Sequence, residues 1–267
     1  MKWLYRIICA ILIVVMAVSG YKIWSIMSEY KEGEDAYGEL EQFVSIPSEL
    51  PVIPSESGEE ENPDGTPAPQ ATENLNQFPV VDFNSLKGIN PDVMAWIYIP
   101  GTHVNYPVVQ GSDNEYYLNR LFTGKWNSAG AIFMDYRNEA DLTDPHTIIY
   151  GHQMNNKTMF NDLRHYADQS FYEEHTVGYL MTPDQTYLLQ FFSGYVSSVD
   201  TNAWQLNFTE EGSFTSWLED IQGRSAFTTD VQLREEDRIV TLSTCSSAFE
   251  NARFVLHARL VPAEVNG

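Results

Sequence analysis

The distribution of apolar and polar residues sets the N-terminus apart from the rest of the chain. Residues 7–21 carry no charge, and Ile23, Trp24, Ile26 and Met27 extend the apolar run if Lys22 snorkels toward the outer headgroups. As an α-helix, the segment from Trp3 to Met27 is long enough to cross about 30 Å of hydrocarbon. Lys2 and Arg6 come at its start, and basic residues keep the adjoining end of a membrane helix in the cytoplasm. The pattern predicts a membrane anchor over residues 1–27.

A cleaved signal peptide is the alternative interpretation of this segment. Ala17 and Ser19 are small residues at a workable cleavage spacing. We favour the uncleaved anchor, because the apolar character continues past that site.

The segment that follows is acidic and then rich in proline. Residues 28–75 contain 13 Asp and Glu against the single basic residue Lys31. Residues 45–77 are rich in Pro, Glu, Ser and Gly and poor in aromatic residues, so they cannot bury enough apolar surface to offset the entropy of ordering. We expect residues 28–77 to form an extended stalk and residues 78–267 to form the globular domain.

Short runs with β-type alternation follow from about residue 78. Eight of them are predicted as strands: Ala95–Ile99, Val104–Val109, Ala131–Met134, Thr147–Tyr150, Val177–Met181, Tyr187–Tyr195, Arg238–Thr244 and Arg253–Val261. Eight short strands are typical of a barrel or a sandwich. A helix is predicted between the sixth and seventh strands, because apolar residues fall at i, i+3, i+4 and i+7 from Phe214 to Ile221, with Thr209 as N-cap and Gly223 just past its end.

Charge and cysteine content narrow the classes of function that the chain can have. The formal net charge is −22 and the chain has only 15 Lys and Arg, which argues against a nucleic-acid-binding groove. Of the two cysteines, Cys9 lies in the N-terminal apolar run and Cys245 in the globular domain. A disulfide between them is implausible, so the unpaired Cys245 is a candidate for chemistry.

Cys245 ends a predicted strand, and Arg253 begins the next one. Strand alternation places Ser243 and Cys245 on one face of the segment RIVTLSTC. If the two strands pair as a hairpin, Arg253 comes close to Cys245, where a guanidinium lowers a thiol pKa or binds a developing oxyanion. Taken alone, either residue would be assigned a structural role, as a buried thiol or a surface charge.

A cysteine nucleophile needs a proton partner, and the chain has six histidines. His152 is the best placed, because it follows the apolar strand TIIY and a glycine that allows a sharp exit. His257 lies four residues beyond Arg253, about 13 Å along the strand, and is too far from the thiol. His165 and His175 lie in helix-like polar stretches, and His103 and His146 sit beside turn residues.

Three features of the sequence together resemble the signature of sortases, and specifically of class B. In chain order they are YGH at 150–152, TLSTC at 241–245 and Arg253 eight residues after Cys245. The segments INPDVMAWIYIPGTHVNYPVVQGSDNEYYLN, SAGAIFMDYRN, YGHQMNNKTMFNDL and FYEEH are similar to class B members as well, so the resemblance covers roughly residues 84–261. Ser246 follows the cysteine where some members carry an acidic residue.

The resemblance implies an eight-stranded sortase barrel with N-terminal helical residues and an extra helix before the seventh strand. It assigns Cys245 as nucleophile, His152 as proton partner and Arg253 as oxyanion stabiliser. Asn114 and Leu118 in DNEYYLN, and Ser243 in TLSTC, would line the substrate groove. Trp204 falls in the variable segment before the extra helix and is a candidate wall of that groove.

The resemblance also implies a Gram-positive, cell-surface cysteine transpeptidase that requires no metal or cofactor. It would cleave a C-terminal sorting motif of surface proteins through a thioester and transfer them to a peptidoglycan amine. Two alternatives stay open at this point. One is a pilus-assembling sortase whose acceptor is a pilin lysine, and the other is a non-catalytic module that holds peptides in the groove.

Overall fold

The computed structural model describes residues 2–48, 50, 78–245 and 251–263. The Pro-rich part of the predicted stalk, residues 51–77, and Ser246 lie outside the described residues. The helices are α1 (Lys2–Leu40), α2 (Phe83–Ile89), α3 (Gln169–Glu174) and α4 (Ser213–Gly223). Short 3-10 helices span Glu41–Phe43, Tyr116–Asn119, Asn161–Ala167 and Asn202–Trp204.

The strands form a two-stranded sheet and a closed barrel. The small sheet pairs β1 (Val44–Ser45) with β2 (Val80–Val81). The barrel strands are β3 (Val93–Tyr98), β4 (Asn105–Val109), β5 (Ile132–Met134), β6 (His146–Tyr150), β7 (Val177–Met181), β8 (Thr186–Ser198), β9 (Arg238–Cys245) and β10 (Ala252–Pro262). All eight strands predicted from the sequence are present in the barrel, so the predicted fold class is confirmed.

Around the barrel the strands follow the order β3, β4, β5, β6, β9, β10, β8, β7, and β7 pairs with β3 again. The pairs β4–β5 and β6–β9 are parallel, and the other pairs are antiparallel. The parallel pair β6–β9 matters for the site, because the C-terminal ends of two parallel strands lie at the same edge of the barrel.

Alternation along β9 and β10 separates two apolar clusters. Val240 and Leu242 of β9 belong to the main core, together with Phe254 and Leu256 of β10. Ile239 belongs to the second cluster, in which the apolar face of α4 covers the outside of the barrel. Side chains that alternate along a strand thus fill the barrel on one side and pack under a helix on the other.

Helix α4 is present where the apolar spacing predicts it, but its start differs. It begins at Ser213 after Gly212, whose φ of 73° is in the left-handed region that suits glycine. Thr209 as the N-cap was therefore wrong. Gly223 is the last helical residue rather than the first residue beyond the helix.

Helix α1 runs without interruption from the apolar N-terminal segment onto the barrel. It is long and apolar enough to cross a membrane, and its apolar stretch is not buried against the rest of the protein. Gly33, Tyr37 and Leu40, at the other end of the same helix, are buried. Residues 28–48 thus differ from the extended stalk expected of them, because one side of the helix packs on the domain. Glu29 and Glu32 contact residues 125–128 there, whereas Asp35 and Glu39 are exposed.

Candidate active site

The hairpin of β9 and β10 brings Cys245 and Arg253 to the same level of the barrel. Cys245 is the last residue of β9, and its backbone lies directly opposite Arg253 in the antiparallel register. Asn251 precedes β10 with a φ of 59°, a left-handed conformation that asparagine tolerates better than most residues. The half-buried Arg253 donates through Nη1 to the carbonyl of Ala252 at 3.0 Å, which fixes one edge of its guanidinium.

The parallel pair β6–β9 brings His152 to that level as well. Tyr150 lies opposite Ser243, and the N–H of Gly151 donates to the Ser243 carbonyl at 3.1 Å. His152 is two residues beyond Tyr150, and Cys245 is two residues beyond Ser243. Both residues therefore leave the barrel at the same edge.

Gly151 is required for this exit. A Cβ at this position would lie 2.5 Å from Ile132 Cδ1 and 2.6 Å from Phe160 Cδ2. A side chain here would collide with the core, so glycine is the residue that lets the chain pass close to Ile132 and Phe160 just before His152.

One hydrogen bond sets the protonation pattern of the His152 ring. Its Nε2 lies 2.6 Å from the carbonyl oxygen of Leu118. A carbonyl only accepts, so Nε2 carries the hydrogen and donates. In the neutral ring Nδ1 is then the nitrogen that accepts a proton, and in the protonated ring it is the one that releases it.

A cavity of about 330 Å³ lies at this edge of the barrel. Six residues chosen from the sequence line it together: Asn114, Leu118, His152, Trp204, Ser243 and Arg253. The other lining residues are Phe133, Tyr150, Gly151, Val199 and Thr244. The structure thus gathers these predicted residues around one cleft, and the backbone of Cys245 stands opposite Arg253 beside it.

Trp204 and Asn114 are both bonded within the walls of the cleft. The Trp204 indole Nε1 donates to the Ser243 hydroxyl at 3.2 Å, which ties the segment before α4 to strand β9. Asn114 donates through Nδ2 to the Asp135 carboxylate at 3.0 Å and accepts at Oδ1 from the Tyr136 N–H at 3.1 Å. The side chain of Asn114 therefore holds the wall of the cleft through both ends of its amide.

A buried carboxylate behind this wall was not found from the sequence. Asp135 accepts from Arg137 Nε at 2.8 Å and from Arg137 Nη2 at 2.7 Å, and the Tyr150 hydroxyl donates to it at 3.0 Å. Burial opposes ionisation of Asp135, but hydrogen bonds from Arg137 and Asn114 outweigh it and keep its pKa below the usual value. The pair Asp135–Arg137 thus fixes Tyr150 and Asn114, two lining residues. The segment DYRN contains the signal, since an acid and a base two residues apart directly follow a buried strand.

Thr244 is a second residue that sequence reasoning missed. It lines the cleft, is 2% exposed, and its hydroxyl has no hydrogen-bond partner among the residues that the structure describes. A buried hydroxyl is costly to leave unpaired, so it is a natural contact for a polar group entering the cleft.

Two other histidines form a buried chain beneath α4. His146 Nδ1 donates to the Gln205 carbonyl at 2.7 Å, and its Nε2 accepts from the Thr241 hydroxyl at 2.6 Å. Thr241 accepts in turn from His257 Nδ1 at 2.7 Å, and the Tyr195 hydroxyl lies 3.3 Å from His257 Nε2.

Both rings of this chain are neutral. Burial lowers the pKa of His146 to about 4 and holds the pKa of His257 well below its usual value. Neither ring lines the cleft. His146, which the sequence places beside turn residues, is therefore part of a buried series of hydrogen bonds.

The remaining histidines lie elsewhere on the domain. His103 Nδ1 is 2.7 Å from the Asp162 carboxylate, His165 is exposed, and His175 stacks on Phe171. Among the described residues, His152 is the histidine that lines the cleft.

Comparison with known proteins gives matches over most of the chain. A family model described as Sortase domain matches residues 97–261. Sortase B of Staphylococcus aureus is 33% identical over 263 residues, which cover 98% of this chain and 98% of that protein. A solved Staphylococcus aureus sortase B–substrate complex is 38% identical, with a TM-score of 0.65, and covers 68% of this chain and 85% of that one. Sortase B from Bacillus anthracis, in complex with AAEK1, is 31% identical, with a TM-score of 0.71 over 89% of this chain and 100% of that one.

Proposed function

The chain belongs to the sortase family, and from that membership we propose how its cleft processes a substrate. The chain is a class B sortase and a cysteine transpeptidase. We propose that Cys245, His152 and Arg253 carry the reaction. The observation that supports this most directly is the register of three strands, because β6, β9 and β10 deliver these three residues to one edge of the barrel.

The first half-reaction forms a thioester. The Cys245 thiolate attacks the carbonyl carbon of a threonine in a C-terminal sorting motif, and the carbonyl π electrons move onto the oxygen. Arg253 donates to this oxyanion through its fork of N–H groups. The tetrahedral intermediate collapses, the C–N bond breaks, and protonated His152 gives its Nδ1 proton to the departing amine.

The second half-reaction transfers the acyl group. An acceptor amine attacks the thioester carbon, and neutral His152 takes the proton that the amine loses. The C–S bond then breaks and regenerates the thiolate. The starting protonation states of Cys245 and His152 are restored, so the cycle needs no external acid or base.

The lining residues suggest how a peptide is held. Leu118, Val199 and Phe133 offer apolar contacts, and the Thr244 hydroxyl, which has no hydrogen-bond partner in the described part of the chain, offers a polar one. We propose that Asn114, Leu118, Trp204 and Ser243 shape this groove. For Asn114 and Trp204 the contribution is to hold the walls through the hydrogen bonds to Asp135 and Ser243. The sortase B of Staphylococcus aureus has itself been solved as a complex with substrate.

The partners follow from the same proposal. The substrate is a surface protein that carries a sorting motif, and the acceptor is an amine of the cell wall or its precursor. Residues 1–27 anchor the enzyme in the cell membrane with the N-terminus in the cytoplasm and the barrel outside. Helix α1 supports this topology, since its apolar part is unburied and Lys2 and Arg6 lie at its N-terminal end.

A peptide-and-amine panel tests the function. The full chain in detergent micelles is incubated with sorting peptides of different sequence, alone or with an oligoglycine, a diaminopimelate-containing stem peptide or a lysine-bearing pilin peptide. Mass spectrometry of the products should show one motif cleaved after threonine and joined to a cell-wall type amine. Transfer only to the lysine-bearing peptide would indicate pilus assembly, and binding without any cleavage would refute the enzymatic proposal.

A further inference from the structure

The C-terminal part of α1 packs against the loop that leads into β5. Asn127 Nδ2 donates to the Glu29 carbonyl at 3.0 Å, and the Ser128 N–H donates to the Glu29 carboxylate at 2.7 Å. A Cβ at Gly33 would lie 3.4 Å from Asn127 Oδ1, so helix and loop are in close contact here. These contacts fix the loop, residues 127–130, to the helix that leaves the anchor.

Tyr37 extends the same contact to the catalytic histidine. Its buried hydroxyl donates to the Gly130 carbonyl at 2.6 Å. Gly130 has a φ of 59°, and a Cβ on it would lie 2.5 Å from the Leu118 carbonyl oxygen and 3.0 Å from His152 Cδ2. Leu118 provides the carbonyl to which His152 donates. The residue that Tyr37 holds is thus packed against both the His152 ring and its hydrogen-bond acceptor.

A second series of contacts connects Tyr37 to the loop that follows His152. The Tyr37 ring meets the Tyr106 ring edge-on, with centroids 5.2 Å apart. The Tyr106 hydroxyl accepts from the Met159 N–H at 3.0 Å, and the next residue, Phe160, donates to the His152 carbonyl at 2.9 Å. Tyr37 therefore supports His152 on its ring side and on its backbone side.

We propose that Tyr37 is a positioning residue for His152, so that helix α1 is part of the catalytic apparatus as well as the membrane anchor. This inference rests on the proposed function, in which His152 moves the proton. The hydrogen bond from Tyr37 to Gly130 keeps the Leu118 carbonyl against His152 Nε2. Because Nε2 donates to that carbonyl, Nδ1 is the His152 nitrogen that exchanges the proton. Burial raises the pKa of the Tyr37 phenol, so its hydroxyl remains a donor at every pH at which the enzyme is assayed.

The test removes the donor and keeps the ring. Tyr37→Phe retains the edge contact with Tyr106 but leaves the Gly130 carbonyl without its donor. Glu32→Gln is the matched control, because it breaks the ion pair of α1 with Lys125 without touching Gly130. Both changes are made in the full chain in detergent, with Cys9 replaced by alanine so that Cys245 is its sole thiol.

Three quantities are measured for each variant: kcat and KM for peptide transfer, the melting temperature, and the rate of Cys245 alkylation by iodoacetamide between pH 5 and pH 9. A small displacement of a catalytic group is enough to slow a reaction severely. For Tyr37→Phe we expect kcat to fall by about 10-fold with KM within about twofold. The alkylation profile should also move along the pH axis, whereas Glu32→Gln should match the parent protein in both respects.

A purely structural contact would lower the melting temperature and leave the pH profile of alkylation where it was. That result, or an equal loss of kcat in Glu32→Gln, would overturn the inference. The proposed function can fail separately. If the parent protein transfers no peptide and Tyr37→Phe still moves the alkylation profile, the function is refuted while the positioning role stands.

Discussion

The buried histidine chain predicts that the domain loses stability in mild acid. His146 has its pKa lowered to about 4 by burial, whereas a histidine in the unfolded chain titrates near 6.5. Between these two values the unfolded chain binds a proton that the folded chain does not, so the free energy of unfolding falls as the pH falls. Above pH 6.5 both states are neutral and His146 contributes no pH dependence.

The size of the effect follows from the difference of about 2.5 pKa units. At about 1.4 kcal/mol per unit, His146 alone should destabilise the domain by roughly 3 kcal/mol between pH 7 and pH 4. His257 acts in the same direction, because its pKa is also lowered by burial. Carboxylates with a lowered pKa, such as Asp135, act in the same direction once the unfolded chain begins to bind protons at its carboxyl groups near pH 4, so the difference between the parent protein and a His146 variant isolates the histidine.

Urea unfolding of the full chain in micelles, followed by tryptophan fluorescence at pH 7.0, 6.0, 5.0 and 4.5, measures this slope. The free energy of unfolding of His146→Gln should depend less on pH than that of the parent protein. At pH 7 the variant should be less stable, because the hydrogen bond between residue 146 and Thr241 is disturbed. His165→Gln, which removes an exposed histidine and leaves the buried pair intact, is the control. Equal slopes in all three proteins would refute the reasoning.

Two further predictions concern the cleft and the anchor. Arg253→Lys keeps the charge but loses the fork of donors, so acylation should fall by roughly 100-fold or more while peptide binding weakens much less; near wild-type acylation, measured by rapid quench, would exclude the oxyanion role. The full chain should remain in the membrane fraction after carbonate washing, and recovery of the native protein in the medium with an N-terminus near Tyr21 would show that the apolar segment is a cleaved signal peptide.

The strands and the pairing of β9 with β10 could be predicted from the sequence, because alternation is a local property. In RIVTLSTC and in the strand that starts at Arg253, every second residue is apolar or small. A short connection between two such strands favours a hairpin. The expected closeness of Arg253 and Cys245 followed from that geometry, and the structure pairs them in register.

The path of α1 onto the barrel could not be predicted in the same way. Acidic residues such as Glu29 and Glu32 suggested a solvated stalk, and the contact that contradicts it joins Tyr37 to Gly130, which are 93 residues apart. Charge is a poor guide here because a helix needs only one side to pack. Gly33 and Tyr37, which are four residues apart and both buried, are the signal of that packed side in the sequence.

The buried polar groups were also beyond local reasoning. The sequence shows His146 only as a neighbour of turn residues, because the partners that enclose it, Gln205 and Thr241, come from distant segments. In the sequence Asp135 is one residue of the motif SAGAIFMDYRN, whereas the donors to its carboxylate come from three segments of the chain. A polar residue beside an apolar strand shows its role only when the strands are assembled around it.

The central claim is that Cys245 forms a thioester with the substrate, and trapping that adduct tests it most directly. The full chain is mixed with the intact sorting peptide that it cleaves in the panel, without an acceptor amine. The reaction is quenched in acid and analysed by intact and peptide-level mass spectrometry. The parent protein and Cys9→Ala should each carry one acyl fragment on the Cys245 peptide, released by hydroxylamine, and Cys245→Ala should carry none. An adduct that persists in Cys245→Ala, or transfer that proceeds at an undiminished rate without the thiol, would contradict the account.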